Sequence, residues 1–336
     1  MSKYQTLVGN KREPLHKLLP LTQPLALYIG TNDSCNFSCK FCYRSISRNL
    51  SVSDQKTNMS MDFFKKLILD LSDFEKPINT LYIGEYAEPL LHPQFPEFVK
   101  IAKDSNKAMS LKMSTNAYLL TPELSRRIIS AGMDIIQISI NGMSNEHYKS
   151  IVNRDIEFAR IRDNVEYLYS IKEKSHIHIK CIGDYFSEEQ KEEFLNVFSI
   201  FCDSIHIEDV ANQWLDLKLN TKSDSNRFGL KNIKTSLICS RPFYMIAVHY
   251  DGKVVSCPVN HKRTFYVGDA CKASLKNIWD SKTVYDLRMA HLLGNYKDIY
   301  NDCAMCNFTE FQSSEDLTPY REELIIKYEQ RYSHGE

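Results

Sequence analysis

Residues 25–44 read LALYIGTNDSCNFSCKFCYR, an apolar run followed at once by three closely spaced cysteines. Cys35, Cys39 and Cys42, which we call the cysteine triad, share one short loop, and the aromatic residue Phe41 directly precedes the third. A structural zinc ion is usually enclosed by four ligands, and this loop offers three thiols with no histidine nearby. A [4Fe–4S] cluster held by only three thiolates leaves one iron open to a further ligand. The spacing therefore favours an iron–sulfur cluster over zinc or a chance group of buried thiols.

The amino-acid composition and charge limit the classes of function that this protein can have. Apolar residues make up 43% of the 336 residues and charged residues 25%, which are ordinary globular values. Lys plus Arg and Asp plus Glu both number 42, so the sequence predicts no nucleic-acid or membrane partner, because both require clustered positive charge. No apolar run suggests a signal peptide or a membrane span, and we expect a cytoplasmic protein. Ten cysteines in such a protein indicate metal or redox chemistry rather than disulfides.

Short apolar runs alternate with amphipathic segments as far as residue 210. This strand–helix alternation, repeated six times, predicts a parallel sheet with right-handed crossovers, either in a barrel or in an open doubly wound sheet. Eight units would close a barrel, and the pattern stops after six. Predicted helices include 61–74, 121–132 and 187–202, the last opening with a capping box. The predicted strands are 25–30, 80–84, 110–114, 134–140, 176–182 and 204–208.

The later part of the chain has a different character. Asp251-Gly252 separates two alternating apolar runs within 245–259, which predicts a β-hairpin. Four further cysteines surround this hairpin, and we call them the cysteine quartet: Cys239, Cys257, Cys303 and Cys306. We expect an N-terminal extension (1–23), an α/β barrel (24–210), a linker (211–235), a small cluster-binding domain (236–312) and a helical tail (313–336).

The triad, with its aromatic residue and preceding strand, resembles the signature loop of the radical S-adenosylmethionine (SAM) superfamily. The resemblance covers residues 24–210 and implies a partial (β/α)6 barrel, a SAM-binding [4Fe–4S] cluster and SAM itself. The segment GEYAEPLLHP (84–93) resembles the family's Gly-Gly-Glu motif, which implies that Glu88 binds the SAM amino group. Ala87 stands where a glycine is usual.

Two later segments resemble the motifs at the ends of the family's third and fourth strands. The resemblance implies SAM contacts by Thr115, Ser139, Asn141 and Arg154, in addition to Phe41. Ala117 and Asn141 depart from the usual glycine and aspartate. Arg154 is equally consistent with a solvated helix-end arginine, and Glu85 is a second acidic residue in the Gly-Gly-Glu segment.

The region of the quartet resembles the SPASM/twitch auxiliary-cluster domain of the same superfamily. The full SPASM pattern has seven cysteines, and four suitable ones here resemble the shorter twitch form found in an aminocyclitol dehydrogenase. Four thiolates leave no open iron, so a second [4Fe–4S] cluster here would carry electrons or stabilise the fold, and zinc stays an alternative for this site alone.

An auxiliary cluster makes oxidation of a substrate radical feasible. We therefore expect an oxidoreductase that cleaves SAM and oxidises an alcohol carbon of a small carbohydrate-like substrate, a sugar or aminocyclitol, with an electron donor such as flavodoxin or ferredoxin. The alternatives are a radical SAM epimerase, in which Cys181 or Cys271 returns a hydrogen atom, and a peptide maturase. About 24 residues precede the first strand, which is short for the separate peptide-binding domain that maturases often carry. A zinc-stabilised binding module is the non-enzymatic alternative. The sequence does not identify the substrate or the catalytic acid or base.

Overall fold

The computed structural model describes residues 13–47, 58–210, 235–258, 264–310 and 316–333. The predicted linker 211–235 and the first half of the N-terminal extension lie almost entirely outside these ranges. The boundaries of the five predicted segments stay predictions.

A nine-stranded sheet with the order β6-β5-β4-β3-β2-β1-β7-β8-β9 forms the centre of the described chain. All six predicted strands form, and neighbours among them pair in parallel. The sheet is open, because β6 and β9 are its two ends, which confirms the predicted partial α/β barrel. The strands are β1 (Ala26–Ile29), β2 (Ile78–Ile83), β3 (Ala108–Thr115), β4 (Ile135–Ser139), β5 (His176–Ile182), β6 (Ser204–Glu208), β7 (Met245–Val248), β8 (Lys253–Val255) and β9 (Gly268–Asp269).

Helices connect successive parallel strands. The helices are α1 (Leu15–Leu18), α2 (Tyr43–Ser47), α3 (Met61–Asp70), α4 (Phe95–Asp104), α5 (Pro122–Ala131), α6 (Asn145–Val152), α7 (Phe158–Ser170), α8 (Glu188–Phe198), α9 (Leu275–Trp279), α10 (Lys282–Leu293), α11 (Tyr296–Ile299), α12 (Asn301–Ala304) and α13 (Arg321–Ser333).

The ends of the helices follow from local sequence. The Thr121 side chain accepts a hydrogen bond from Leu124 N at the start of α5, and Gly132 ends that helix at φ 90°, where a side chain would be strained. Ser187 and Gln190 form the predicted capping box of α8. These features position each helix against the sheet and leave the carboxyl ends of the strands free for loops.

The predicted hairpin forms as β7 and β8, with Gly252 at φ 89° in its turn. Its first strand pairs in parallel with β1, so the hairpin continues the barrel sheet instead of forming a separate one. The physical reason lies in the sequence MIAV, since all four residues of β7 are buried, as in an interior strand covered on both faces.

The apolar core lies mainly between the sheet and its helices. Alternate strand residues such as Ile136, Ile138, Ile177 and Ile179 point into this core and are fully buried. A smaller apolar cluster joins α1, α10 and α13, through residues that include Leu15, Phe243, Leu292 and Leu324. Among the helices in the described ranges, none has the length and apolar character needed to cross a membrane.

Candidate functional site

The loop of the cysteine triad leaves the carboxyl end of β1 and is held by two neighbouring segments. Ser38 N and Lys40 N donate hydrogen bonds to Val152 O (2.9 Å) and Ile151 O (3.0 Å), carbonyls at the end of α6 that have no partner within that helix. On the other side Glu88 N donates to Ser34 O at 3.0 Å. The loop is therefore fixed by backbone bonds before any metal is considered.

The three thiols are half-buried and form no disulfide. Burial, with smaller contributions from Glu88 and Cys42, raises the pKa of Cys35 to about 11. A thiol in such surroundings carries its proton in the metal-free protein, and a bound cation would remove it. Thiolates are the ligands that iron–sulfur clusters use, so this set of donors fits the implied cluster.

Glu88 lies buried beside the triad, between the loop after β2 and the end of β3. Its Oε1 accepts hydrogen bonds from Leu90 N (3.2 Å) and Thr115 Oγ1 (2.7 Å), and its Oε2 accepts one from Asn116 N (2.9 Å). Burial raises the pKa of Glu88 to about 7, although these hydrogen bonds lower it. The side chain therefore has a structural role, and Oε2, with a single internal donor, retains acceptor capacity for a ligand.

Two residues at the ends of the second and third strands have left-handed backbone conformations. Ala117 has φ 62° and Tyr86 has φ 79°, a region that strongly favours glycine. Ala117 stands at the position where the sequence motif usually has glycine, which gives that preference a geometric reason. Ala117 N donates to Thr115 Oγ1 at 3.1 Å, so the strained turn also orients the hydroxyl that holds Glu88.

The remaining predicted SAM contacts are distributed around this edge of the sheet. Phe41 packs against Tyr185 with ring centroids 5.3 Å apart, Ser139 ends β4, and buried Asn141 donates from its backbone amide to the Tyr148 hydroxyl. Arg154 is exposed just beyond α6. Phe41, Ser139, Asn141 and Arg154 stay predictions as SAM contacts.

Polar side chains cover the face of the sheet opposite the helices. Lys180 Nζ and Glu208 Oε2 form a buried ion pair at 2.8 Å. Ser204 Oγ lies 2.8 Å from both His176 Nε2 and His178 Nδ1. Burial, with the charges of Lys180 and Lys112, lowers the pKa of His178 to about 3, so this ring is neutral.

The same face continues across β1 and β2 with an aromatic pair. The rings of Tyr28 and Tyr82 stack at 4.0 Å, and Lys112 Nζ lies 5.2 Å from the centroid of the Tyr82 ring. The whole surface offers hydroxyl, imidazole, ammonium and carboxylate groups beside flat apolar rings. It is suited to a small ligand rich in hydrogen-bonding groups.

Cys239 and Cys257 of the cysteine quartet flank the β7–β8 hairpin, Cys303 lies on α12, and Cys306 follows that helix. Burial, followed by the charge of Cys257, raises the pKa of Cys303 to about 12 and that of Cys306 to about 11. Cys257 also acts on Cys239, so Cys257 is within electrostatic reach of each of the other three thiols. Arg241 Nη1 lies 3.6 Å from Cys257 Sγ, and His291 Nε2 lies 4.0 Å from Cys303 Sγ.

Within the described ranges, no three Cys, His, Asp or Glu side chains are arranged to hold a single metal ion. A four-iron cluster binds each thiolate to a different iron, so its ligands do not converge on one point. The assignment of individual cysteines to the two clusters stays a prediction.

The sequence did not indicate several residues of this site. Asn36 joins the triad loop to Asn116, a residue of the motif that follows the third strand, through a side-chain hydrogen bond of 2.8 Å across 80 positions of sequence. Arg241 acts both on the quartet and on Tyr28, whose pKa burial raises and Arg241 lowers. The position of Arg241, two residues after a quartet cysteine, was the one available signal for it.

Comparison with known proteins identifies two regions. The model of the radical SAM superfamily matches residues 29–198, half of the chain, and that of the SPASM iron–sulfur cluster-binding domain matches residues 239–307. The chain is 22% identical over 325 residues to the tungsten-containing aldehyde ferredoxin oxidoreductase cofactor-modifying protein of Pyrococcus furiosus, covering 84% of this chain and 87% of that protein.

Solved structures with the same fold have low sequence identity. BtrN in complex with AdoMet and 2-DOIA has a TM-score of 0.55 and 16% identity, with 87% of this chain and 96% of that chain covered. SuiB of Streptococcus suis bound to precursor peptide SuiA has a TM-score of 0.62 and 13% identity, with 92% and 75% covered. At these identities the likeness establishes the fold alone.

Proposed function

Since the chain belongs to the radical SAM superfamily and carries a SPASM iron–sulfur cluster-binding domain, we propose that it is an oxidoreductase that converts an alcohol carbon of a small polar substrate to a carbonyl. The substrate class is a sugar or an aminocyclitol. When bound, SAM and its cluster supply a 5′-deoxyadenosyl radical that removes a hydrogen atom from the substrate, and the auxiliary cluster accepts one electron.

The observation that carries this proposal is the shared sheet of the barrel and the cluster-binding region. Strand β7 pairs directly with β1, and the quartet flanks the β7–β8 hairpin. Arg241, beside Cys257, also acts on Tyr28, which lies on the polar face of β1. An electron acceptor at the quartet would therefore stand next to the surface where we expect the substrate to bind.

Residues around the triad would bind SAM in this proposal. Glu88 Oε2 would accept a hydrogen bond from the SAM ammonium, and Thr115 would hold the Glu88 carboxylate in place. Ser139, Asn141 and Arg154 bind the polar groups of SAM, and Phe41 contacts its apolar surface. The backbone bonds from α6 and from Glu88 hold the loop still, so that binding does not have to order it.

The polar face of β3 to β6 would bind the substrate. Neutral His178 and Ser204 offer both donors and acceptors for hydroxyl groups, and the Lys180–Glu208 pair offers one charge of each sign. A hydrogen-bonding site of this kind selects strongly against analogues that lack the matching hydroxyl, because its buried polar groups then have no partner.

The positions of the spare cysteines favour oxidation over epimerisation. Cys181 is buried in the apolar core on the helix-covered face of β5, and Cys202 is also buried there. Cys271 is exposed, with its Sγ 3.7 Å from Asp251 O in the hairpin turn. These three thiols therefore offer little support for a hydrogen donor on the polar face.

The deciding experiment measures product mass in deuterium oxide. Anaerobic enzyme, SAM and a reductant are incubated with panels of sugars, aminocyclitols and peptides, and 5′-deoxyadenosine is measured in parallel. We expect a product two mass units lighter than an alcohol substrate. A product one unit heavier would identify an epimerase, and turnover of peptides alone would identify a maturase; either result contradicts the proposal. The variant Cys35→Ala/Cys39→Ala/Cys42→Ala serves as the control that should not cleave SAM.

A further inference from the structure

Arg241 occupies an unusual position at the base of the cluster-binding hairpin. It follows Cys239 by two residues and begins the short turn Arg241–Phe243 that leads into β7. Its guanidinium lies over the Phe308 ring, 3.6 Å from the ring centroid, and its Nη1 lies 3.6 Å from Cys257 Sγ. Its Nε is sealed from solvent and has no hydrogen-bond partner among the described residues. The side chain is thus held by a ring on one side and directed at a thiol on the other.

Other groups around the quartet do not duplicate this charge. His291, whose Nε2 lies 4.0 Å from Cys303 Sγ, is buried, and no carboxylate pairs with it among the described residues, so its surroundings disfavour a charge on the ring. Lys297 acts on Cys303 and Cys306, but it is exposed and its charge is screened by water and salt. Phe308 N donates to Cys306 Sγ at 3.4 Å without bringing a net charge. Arg241, which stays protonated, is therefore the sheltered cation that the described residues bring to the quartet.

We propose that Arg241 raises the reduction potential of the auxiliary cluster, so that this cluster accepts the electron released by the substrate. The inference rests on the proposed function, which requires such an acceptor. In that step the O–H bond of the substrate radical breaks and the C–O bond becomes C=O; one electron passes to the cluster and the hydroxyl proton passes to water. The reduced cluster carries one more negative charge, which a fixed cation stabilises. Charge and hydrogen bonds at the sulfur ligands are known determinants of cluster potential.

The test measures the potential of the auxiliary cluster alone. In the background Cys35→Ala/Cys39→Ala/Cys42→Ala, the potential is read by an electron-paramagnetic-resonance redox titration. Arg241→Gln keeps N–H donors and removes the charge, and we expect at least a tenfold lower ratio of reduced to oxidised cluster at a fixed potential, equivalent to about 59 mV for a one-electron couple. Arg241→Lys keeps the charge and should stay within about threefold of the parent ratio.

Arg288 provides a matched control. It is also an arginine stacked on an aromatic ring, with its guanidinium 4.0 Å from the centroid of Trp279, and its Nε donates to Pro242 O at 3.0 Å. No quartet thiol is among the groups that shift its pKa. Arg288→Met should therefore leave the potential unchanged, and a shift equal to that of Arg241→Gln would overturn the proposal.

The outcomes separate this inference from the proposed function. An unchanged potential in Arg241→Gln with full iron and sulfide overturns the role of Arg241, as does a shift in Arg241→Lys as large as in Arg241→Gln. A parent protein that binds no iron at the quartet overturns the auxiliary cluster itself. If Arg241→Gln fails to take up iron, Phe308→Leu replaces it, because loss of the ring releases the guanidinium; a lower potential then supports the proposal and an unchanged one refutes it.

Discussion

Replacement of Glu88 by glutamine distinguishes its role in the fold from its proposed role in binding SAM. A glutamine whose oxygen takes the place of Oε1 keeps the bonds from Leu90 N and Thr115 Oγ1, but its NH2 group then faces the Asn116 amide. The unpaired donor costs about 1–3 kcal/mol of folding free energy. A second effect stabilises the variant: the glutamine side chain is neutral, so the folded protein does not have to bury a charge at position 88.

The free-energy cost of burying the Glu88 charge follows from the pKa of Glu88. Burial raises the pKa of Glu88 from 4.5 to about 7, so the folded protein holds this proton more tightly than the unfolded chain. The wild type therefore loses up to about 3 kcal/mol of stability as pH rises from 4.5 to 7, and Glu88→Gln loses none of it. At pH 8 the two effects nearly cancel, and we expect the metal-free variant to be about as stable as the wild type. At pH 5 it should be less stable.

The substitution Glu88→Gln should change the affinity for SAM much more than it changes the stability at pH 8. A charge-assisted bond between Glu88 and the SAM ammonium contributes about 1.5–3 kcal/mol, so Glu88→Gln should weaken SAM binding at pH 8 by about 10-fold to 150-fold. Below pH 7 the wild-type affinity should fall by about tenfold per pH unit, because the carboxyl group must lose its proton to bind the ammonium. The variant lacks this dependence. Any titration of SAM itself affects both proteins equally.

The assay is anaerobic equilibrium dialysis of labelled SAM against reconstituted protein from pH 6 to 8. Glu85→Gln is the matched control, since Glu85 is the other acidic residue of the same loop and should leave the affinity unchanged. The reasoning is refuted if Glu88→Gln binds SAM within twofold of the wild type at pH 8, or if it retains the pH dependence.

Four further predictions use the same structure. The triple alanine variant of the triad should form no 5′-deoxyadenosine while about four irons per chain remain, measured by product chromatography and iron analysis; continuing SAM cleavage contradicts the assignment. Alanine variants of the quartet should still cleave SAM but yield far less oxidised product, and an unchanged product ratio would exclude the proposed acceptor. Lys180→Met leaves Glu208 buried without its cation and should cost about 3–5 kcal/mol in urea unfolding, most of it recovered in Lys180→Met/Glu208→Met. Ala117→Gly relieves a left-handed conformation and should stabilise the protein by about 1 kcal/mol, whereas the control Ala131→Gly in the last turn of α5 should destabilise it, both measured by thermal unfolding.

Sequence reasoning succeeded where the signal was local. Strand periodicity located β1 to β6, and caps such as Thr121 and Ser187 located helix ends, because these features depend on residues a few positions apart. Along β5, Cys181 shares the alternation of Ile177 and Ile179 and lies with them in the core. The triad was recognisable because all of its members lie on one short loop.

Contacts between distant segments were beyond sequence reasoning. The bond between Asn36 and Asn116 and the position of Arg241 beside Tyr28 depend on how separate strands align. The pairing of β7 with β1 was missed for the same reason, because a four-residue apolar strand carries no mark of its partner. The internal bonds of Glu88 also lie outside what a motif reveals, since the motif indicates a ligand and says nothing of the folded network that holds it.

The pairing of β7 with β1 has a consequence for the integrity of the molecule. If the hairpin separates from the sheet, β1 becomes an edge strand with unpaired backbone groups, and its carboxyl end carries the triad loop. Damage at the quartet, such as oxidative loss of its cluster, would therefore loosen the support beneath the SAM-binding loop. The stability of the two iron–sulfur centres is then coupled, because oxygen that destroys the auxiliary cluster also destabilises the loop that carries the triad.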